Sequence, residues 1–188
     1  MQFKKGRNRF VFVLPRLKMV IKLPFISFFK AFRYSALYAK PKNWKHFKDE
    51  FGNYKVETLH SLKWYLFRGI CSNWREFRFY QKTHNPFLQP TYFSFFGLLN
   101  IQRYGDICRL KKIDLWTQLL RLTNRDVVKD SHHFDNPNNF SFRDGKLRIH
   151  DYGSLKSQMV VSHYGEKIVK DFDPSFSHEG KKRIKTVP

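Results

Sequence analysis

Residues Asp130 to Ser154 read DSHHFDNPNNFSFRDGKLRIHDYGS, the most informative stretch of the chain. Phe140, Ser141 and Phe142 alternate apolar and polar, and Leu147 and Ile149 do the same beyond Asp144-Gly145. Asp-Gly between two alternating runs is a pair that a two-residue hairpin turn favours, because both central residues take φ > 0. The pattern predicts a strand, a tight turn and a second strand. Two loops then meet at one end of the hairpin. One carries Asp135, Asn138 and Asn139, and the other carries Asp151. Oxygen donors gathered this way suit Mg²⁺, which binds through one or two carboxylates together with substrate phosphates.

Upstream, Arg9 to Leu14 (RFVFVL) and Met19 to Leu23 (MVIKL) read as two strands joined by a turn over Pro15 to Lys18. Met1 to Arg9 is basic, with a glycine at Gly6. Phe25 to Tyr38 is aromatic and basic and leans helical. A helix of that kind lies on a membrane surface, binds nucleic acid, or packs on its own domain with the lysines outward. Pro41 closes it, and Asn43 to Tyr54 reads as a loop. Val56 to Gln81 is helical in pattern, with a break expected at Gly69. Ser72 or Asn73 would cap a new helix that has Glu76 in its first turn. Thr91 to Tyr104 fits two strands meeting at Gly97. Ile113 to Val128 fits an amphipathic helix with Asp114 at its start. Leu155 to Val161 and Tyr164 to Val169 are short apolar runs, and Lys181 to Lys185 (KKRIK) is a basic tail.

The chain has 188 residues, enough for one domain with a real core, and 41% of them are hydrophobic, which excludes a disordered tail. Its formal charge is +21, a field that favours phosphates, nucleic acid or anionic headgroups. Cys71 and Cys108 are the only cysteines, too few for a disulfide framework or a thiolate metal site, so two reduced thiols are expected. The apolar run from Phe10 to Phe29 is broken by Arg16, Lys18, Lys22, Pro15 and Pro24. A spanning helix needs about 20 mostly apolar residues, so no transmembrane segment is expected. The expected location is cytoplasmic, or peripheral at the inner membrane surface. His132 and His133 are neighbours, and neighbours on one strand rarely share a metal. Their expected role is to brace the loop.

The text "NF-strand-DGKL-strand-HDYGS" resembles the catalytic heart of the protein-kinase-like superfamily, in particular its small bacterial and phage members. There a loop H-x-D-x-x-x-x-N is followed by a hairpin and then D-F-G. The resemblance implies an α+β fold, a reduced kinase-like domain. A small antiparallel-sheet lobe would span residues 1–105, with a basic aromatic insertion at about 24–70. A truncated, mostly helical part would span 106–188. It implies ATP and Mg²⁺ as cofactors. Asn139 and Asp151 would hold the metal, with Tyr152 in place of the motif's Phe. Val20-Ile21-Lys22 is similar to the V-A-I-K strand, so Lys22 would hold ATP phosphates. Glu76 would pair with Lys22, with Glu57 as runner-up. Asp135 would be the catalytic base.

Two departures stand out. Asp135 lies four residues before Asn139, where the motif has five. Either the loop is one residue short and Asp135 still acts, or the base is lost and the protein is a pseudokinase. No glycine-rich loop is recognisable, since Gly6 stands alone. The implied activity is transfer of the γ-phosphate to an unknown hydroxyl acceptor. The alternative is an inactive kinase-like or basic protein that binds nucleic acid, anionic lipid or a host protein. The basic surface would serve an anionic partner: nucleic acid, lipopolysaccharide or an acidic protein.

Overall fold

Alternation of side chains puts Arg9, Val11 and Val13 on one face of their strand, and Val20 and Lys22 on the same face of the next. The computed structural model describes residues 1–6, 9–38 and 62–177. Strands β1 (Gln2–Lys5), β2 (Arg9–Leu14), β3 (Met19–Pro24), β4 (Thr91–Phe95) and β5 (Leu99–Arg103) form an antiparallel sheet in the order β1-β2-β3-β5-β4. The β2–β3 hairpin turns through a short 3₁₀ helix, Pro15–Leu17, and Lys18 takes a left-handed φ of 49° to close it. The basic segment at the start of the chain is therefore an edge strand, which composition alone did not suggest.

Helix α1 (Phe28–Tyr38) follows β3, and helix α2 (Leu62–Thr83) packs on the sheet through β3, β4 and β5. The break expected at Gly69 is not there. Gly69 is buried within the helix, and Asn73 uses its side chain on distant partners rather than on a cap. Its Nδ2 donates to the carbonyls of Gly97 (3.0 Å) and Lys22 (3.3 Å). Glu76 therefore sits deep inside a 22-residue helix, not in a first turn. The expected loop over Asn43 to Tyr54, Glu57 and the KKRIK tail lie outside the described residues.

The second half begins with β6 (Asp106–Ile107), which joins β7 (Phe140–Arg143) and β8 (Lys146–Ile149) in a three-stranded antiparallel sheet ordered β6-β7-β8. Asp144 and Gly145 make the expected turn with φ of 53° and 70°. Helix α3 (Lys112–Leu122) stops short of Val128, because Asn124 and Arg125 adopt left-handed φ of 50° and 71° and a 3₁₀ turn, Asp126–Asp130, follows. Lys111 occupies the N-cap, so Asp114 lies in the first turn instead. A single turn of helix, α4 (Ser131–Phe134), leads to a 3₁₀ turn at Pro137–Asn139. The two apolar runs after Gly153 are one helix, α5 (Leu155–Asp171), in which Gly165 lets the backbone lie against the Asn85 side chain.

The fold is thus α+β, with a small antiparallel sheet and several helices. Its apolar core belongs mainly to the second half, where Leu115, Leu119, Phe134, Phe140 and Ile149 are all but sealed from solvent, with Phe87 packed among them from the first. The inner face of the first sheet is different. Lys22, Asn100 and Gln102 are buried there beside Val13 and Val20. The two halves are joined where Gln89 N–H donates to the Ile149 carbonyl (2.9 Å) and Ile149 N–H donates to the Phe87 carbonyl (2.8 Å). The Tyr152 hydroxyl, fully buried, reaches across the same seam to the Gln89 carbonyl (2.8 Å) and to Thr91 Oγ1 (2.7 Å). Among the described residues no helix is long and apolar enough to cross a membrane.

Two glycines test the turn geometry. A Cβ on Gly97 (φ +78°) would lie 2.2 Å from the Ile70 carbonyl oxygen, whereas one on Gly145 (φ +70°) meets nothing within 4 Å. Gly145→Ala should cost about 1 kcal/mol, the left-handed penalty alone. Gly97→Ala should cost roughly 3 kcal/mol, since the strain adds to a backbone clash. Urea unfolding midpoints of the two variants measure the difference.

Candidate functional site

The inner face of the first sheet and helix α2 bring four charged groups together. Lys22 Nζ donates to Glu76 Oε2 (2.8 Å), and Arg9 Nη1 donates to Glu76 Oε1 (2.6 Å). The other arm of the guanidinium, Nη2, donates to Asp151 Oδ1 (2.5 Å). Arg9 is thus a bridge between a carboxylate on α2 and a carboxylate on the loop after β8. Asn73 Oδ1 takes a further bond from Arg9 Nη1 (3.2 Å). Lys22 also donates to the His150 carbonyl (2.5 Å), which ties the strand to the residue before Asp151.

Burial makes these contacts count. Glu76 has no exposed side-chain surface, Lys22 has 5% and Arg9 has 10%. A charge taken from water at that depth must be matched by an opposite charge and hydrogen bonds, or it destabilises the fold. Burial lowers the Lys22 ammonium below its ordinary value, with Glu76 pulling the other way. Burial would raise the Asp151 carboxyl, but the charges of Arg9, His133 and Lys22 outweigh it and hold the group well below the usual carboxylate range. Asp151 is therefore ionised throughout the physiological range and, with 31% of its side chain exposed, is open to the cleft.

That cleft has a volume of about 1170 Å³ and lies between the two sheets. Its lining includes Lys4, Lys5, Arg9 and Lys22 from the first sheet, Gly6 from the β1–β2 turn, and Asn138, Asn139, His150 and Asp151 from the loops flanking the hairpin. The hairpin sets the last group. Phe140 pairs with Ile149, and His150 N–H donates to the Asn139 carbonyl (3.0 Å), so Asn139 and Asp151 flank one hairpin end. Asn139 Nδ2 donates to the His133 carbonyl (2.9 Å), leaving its Oδ1 as the atom that a cation would use. An Asp carboxylate and an Asn amide oxygen are hard donors that fit Mg²⁺. His150 donates through Nε2 to the Asn138 carbonyl (2.7 Å), and burial drops its pKa to about 4, so it stays neutral at pH 7.

Of the residues singled out in the sequence, Lys22, Glu76, Asn139 and Asp151 therefore converge. Asp135 does not join them. Its carboxylate pairs with Lys112 Nζ (2.7 Å), and it is not among the residues lining the cleft. The helical turn α4 followed by the 3₁₀ turn at Pro137 carries His133, not Asp135, toward Asp151: His133 Nε2 lies 3.8 Å from Asp151 Oδ1. Asp130 stands behind His133, accepting from its Nδ1 (2.8 Å) and from Ser157 Oγ (2.5 Å). The sequence reading missed Arg9 and Asp130. One signal was available for Arg9, a lone arginine opening the otherwise apolar run RFVFVL.

Comparison of the chain with protein-family models, with curated proteins and with solved structures finds no match to any of them.

Two outcomes follow from this electrostatic arrangement. Glu76→Ala strands Lys22 and Arg9 without their shared carboxylate and should cost about 3–5 kcal/mol, the usual result of breaking a buried pair from one side. Chemical denaturation measures it. Asp130 is held at about 2 against an ordinary value of 3.8: burial opposes the shift, and hydrogen bonds from His133 and Ser157 prevail. A carboxyl with a depressed folded pKa contributes its stability above the unfolded value and loses it as pH falls through the folded one. Stability should therefore fall between about pH 4 and pH 2. That acid limb should be shallower in Asp130→Asn, as read from urea midpoints across the range.

Proposed function

We propose that the chain is a magnesium-dependent phosphotransferase of protein-kinase-like type, taking ATP in the cleft and passing its γ-phosphate to a hydroxyl acceptor. The observation that carries this reading is the buried Lys22–Glu76 pair beside Asp151, drawn from three distant parts of the chain. A strand lysine fixed by a helix glutamate, with a metal-binding Asp next to it, is the assembly that kinases need for phosphoryl transfer. Lys22 would hold the α- and β-phosphates, and Glu76 would keep its ammonium in place. Lys4, Lys5 and the backbone around Gly6 would cover the phosphates from the β1–β2 turn. Mg²⁺ bound at Asp151 and Asn139 would neutralise charge on the phosphate oxygens. A cation on Asp151 Oδ1 would compete with the Arg9 guanidinium, which already donates to that oxygen. The freed guanidinium would remain beside the phosphates, where its planar fork is well suited to them.

The formal charge of +21 supports an anionic acceptor, such as nucleic acid, lipopolysaccharide or an acidic protein. A second reading rests on Asp135, which pairs with Lys112 outside the cleft and so leaves the expected base away from the phosphates. On that reading the chain binds nucleotide, or a basic-surface partner, without transfer.

The test is thermal unfolding of the purified chain with ATP and Mg²⁺, alongside ADP release. A ligand-dependent rise of several degrees, lost in both Lys22→Ala and Asp151→Asn, is expected. ADP release unaffected by Asp135→Asn would show that Asp135 is not the base. A thermal rise with no ADP release selects the binding-only reading. No rise at millimolar ATP removes the nucleotide site altogether.

A further inference from the structure

Adjacent histidines on a strand point to opposite faces, and on that ground His132 and His133 were not expected to share a ligand. The chain instead folds them into the one-turn helix α4, with Asp130 at the position just before it. Successive residues are then about 100° apart, so both rings can turn back onto the same neighbour. His132 Nδ1 lies 3.2 Å and His133 Nδ1 2.8 Å from a single oxygen, Asp130 Oδ1. The three donor atoms all lie within 4.8 Å of one another.

We propose that Asp130, His132 and His133 form a binding site for a zinc-class transition-metal dication, distinct from the Asp151–Asn139 pair. Tetrahedral donors at about 2.0–2.1 Å from Zn²⁺ lie roughly 3.3 Å apart, so the two oxygen–nitrogen distances of 2.8 and 3.2 Å need to lengthen by only a few tenths of an ångström. The donor set is two imidazole nitrogens and one carboxylate oxygen. That set suits Zn²⁺ or its neighbours, whereas Mg²⁺ prefers oxygen throughout.

The surroundings have the features of a metal site. Asp130 is buried, and its second oxygen is held by Ser157 Oγ from helix α5 (2.5 Å), which fixes the carboxylate's orientation. When Nδ1 of a histidine binds a metal, the proton sits on Nε2, and that N–H usually faces a carboxylate. His133 Nε2 faces Asp151 Oδ1 at 3.8 Å. The His132 side chain is 71% exposed and lines the cleft, which gives the ion an entry path and leaves room for a fourth ligand. Three protein donors with an open position form the pattern of zinc sites that also take water or a substrate oxygen. The site lies within the same cleft as the proposed nucleotide site and does not depend on that reading.

The experiment uses the full chain, stripped with a chelator and dialysed. Zn²⁺ is titrated calorimetrically, and Co²⁺ is titrated as a visible-absorption probe. His132→Ala is the deciding variant because that side chain is exposed and its loss leaves the core intact. One Zn²⁺ per chain is expected, with a Co²⁺ d–d band in the visible, and with affinity at least tenfold weaker in His132→Ala. Millimolar Mg²⁺ should not compete. His133→Ala should also abolish the band; if it unfolds the chain, His132→Ala decides alone. Absence of a Co²⁺ band, or equal Zn²⁺ affinity in the wild-type and His132→Ala chains, overturns the proposal and leaves two histidines that brace Asp130 by hydrogen bonds. The Mg²⁺-ATP thermal shift reports on the nucleotide reading separately, so either idea can fail without the other.

Discussion

The structure depends on how one carboxylate, Glu76, is held with no exposed side-chain surface. One oxygen takes the Lys22 ammonium and the other takes the Arg9 guanidinium. Neither cation would be stable at that depth alone, and neither would the acid. Together they fix helix α2 on the first sheet at two adjacent strands. Arg9 then carries the linkage to Asp151, and Lys22 to the His150 carbonyl, so the same charges set the second half of the chain against the first. A hydrophobic isostere would often be as stable as a buried ion pair. A cluster of this kind placed in a cleft is a candidate for a functional site.

This division of labour explains the contrast between the halves. The core cluster, with Phe87, Phe134, Phe140 and Ile149, gathers around the hairpin and helices α3 and α5 and supplies the apolar burial. The inner face of the first sheet gives up apolar positions to Lys22, Asn100 and Gln102. Helix α2 serves both sides: Asn73 and Glu76 face the charges, while Phe79 packs against Tyr152 and the core. Gly153 lets the loop after Asp151 lie close against Ser72 of the same helix, where a Cβ would come within 2.1 Å of its hydroxyl oxygen. The position of Asp151 is therefore fixed from two directions, by the hairpin and by α2.

Much of this was legible in local sequence. The β7–β8 hairpin followed from Asp144-Gly145, the β4–β5 turn from Gly97, and the β2–β3 pair from two strand-like runs on either side of the turn over Pro15 to Lys18. Lys22, Glu76, Asn139 and Asp151 were singled out because each sits in a short stretch with a motif-like neighbourhood, and the structure brings them near one another. What failed to show depended on distant partners. Arg9 looks like a solvated strand residue until residues 67 and 142 positions away, Glu76 and Asp151, are placed beside it. Gly69 read as a helix breaker because propensity is local, whereas burial of the glycine and the bonds of Asn73 come from tertiary packing. The loop from Asp130 to Asn139 hid its geometry most fully. Two short helical turns rotate Asp135 outward to Lys112 and bring Asp130 and the two histidines together, and nothing in residue spacing records that rotation.

In the proposed phosphotransferase, Arg9 holds the place on Asp151 that a nucleotide-bound cation would take. The most direct measurement is a crystal structure of the chain with a non-hydrolysable ATP analogue and Mn²⁺, with the ion located by its anomalous signal. Phosphates on Lys22, an ion between Asp151 and Asn139, and an Arg9 guanidinium that has left Asp151 Oδ1 are expected. An analogue bound elsewhere, or an unchanged Arg9–Asp151 contact with no ion beside it, would rule out a nucleotide–metal site on Asp151.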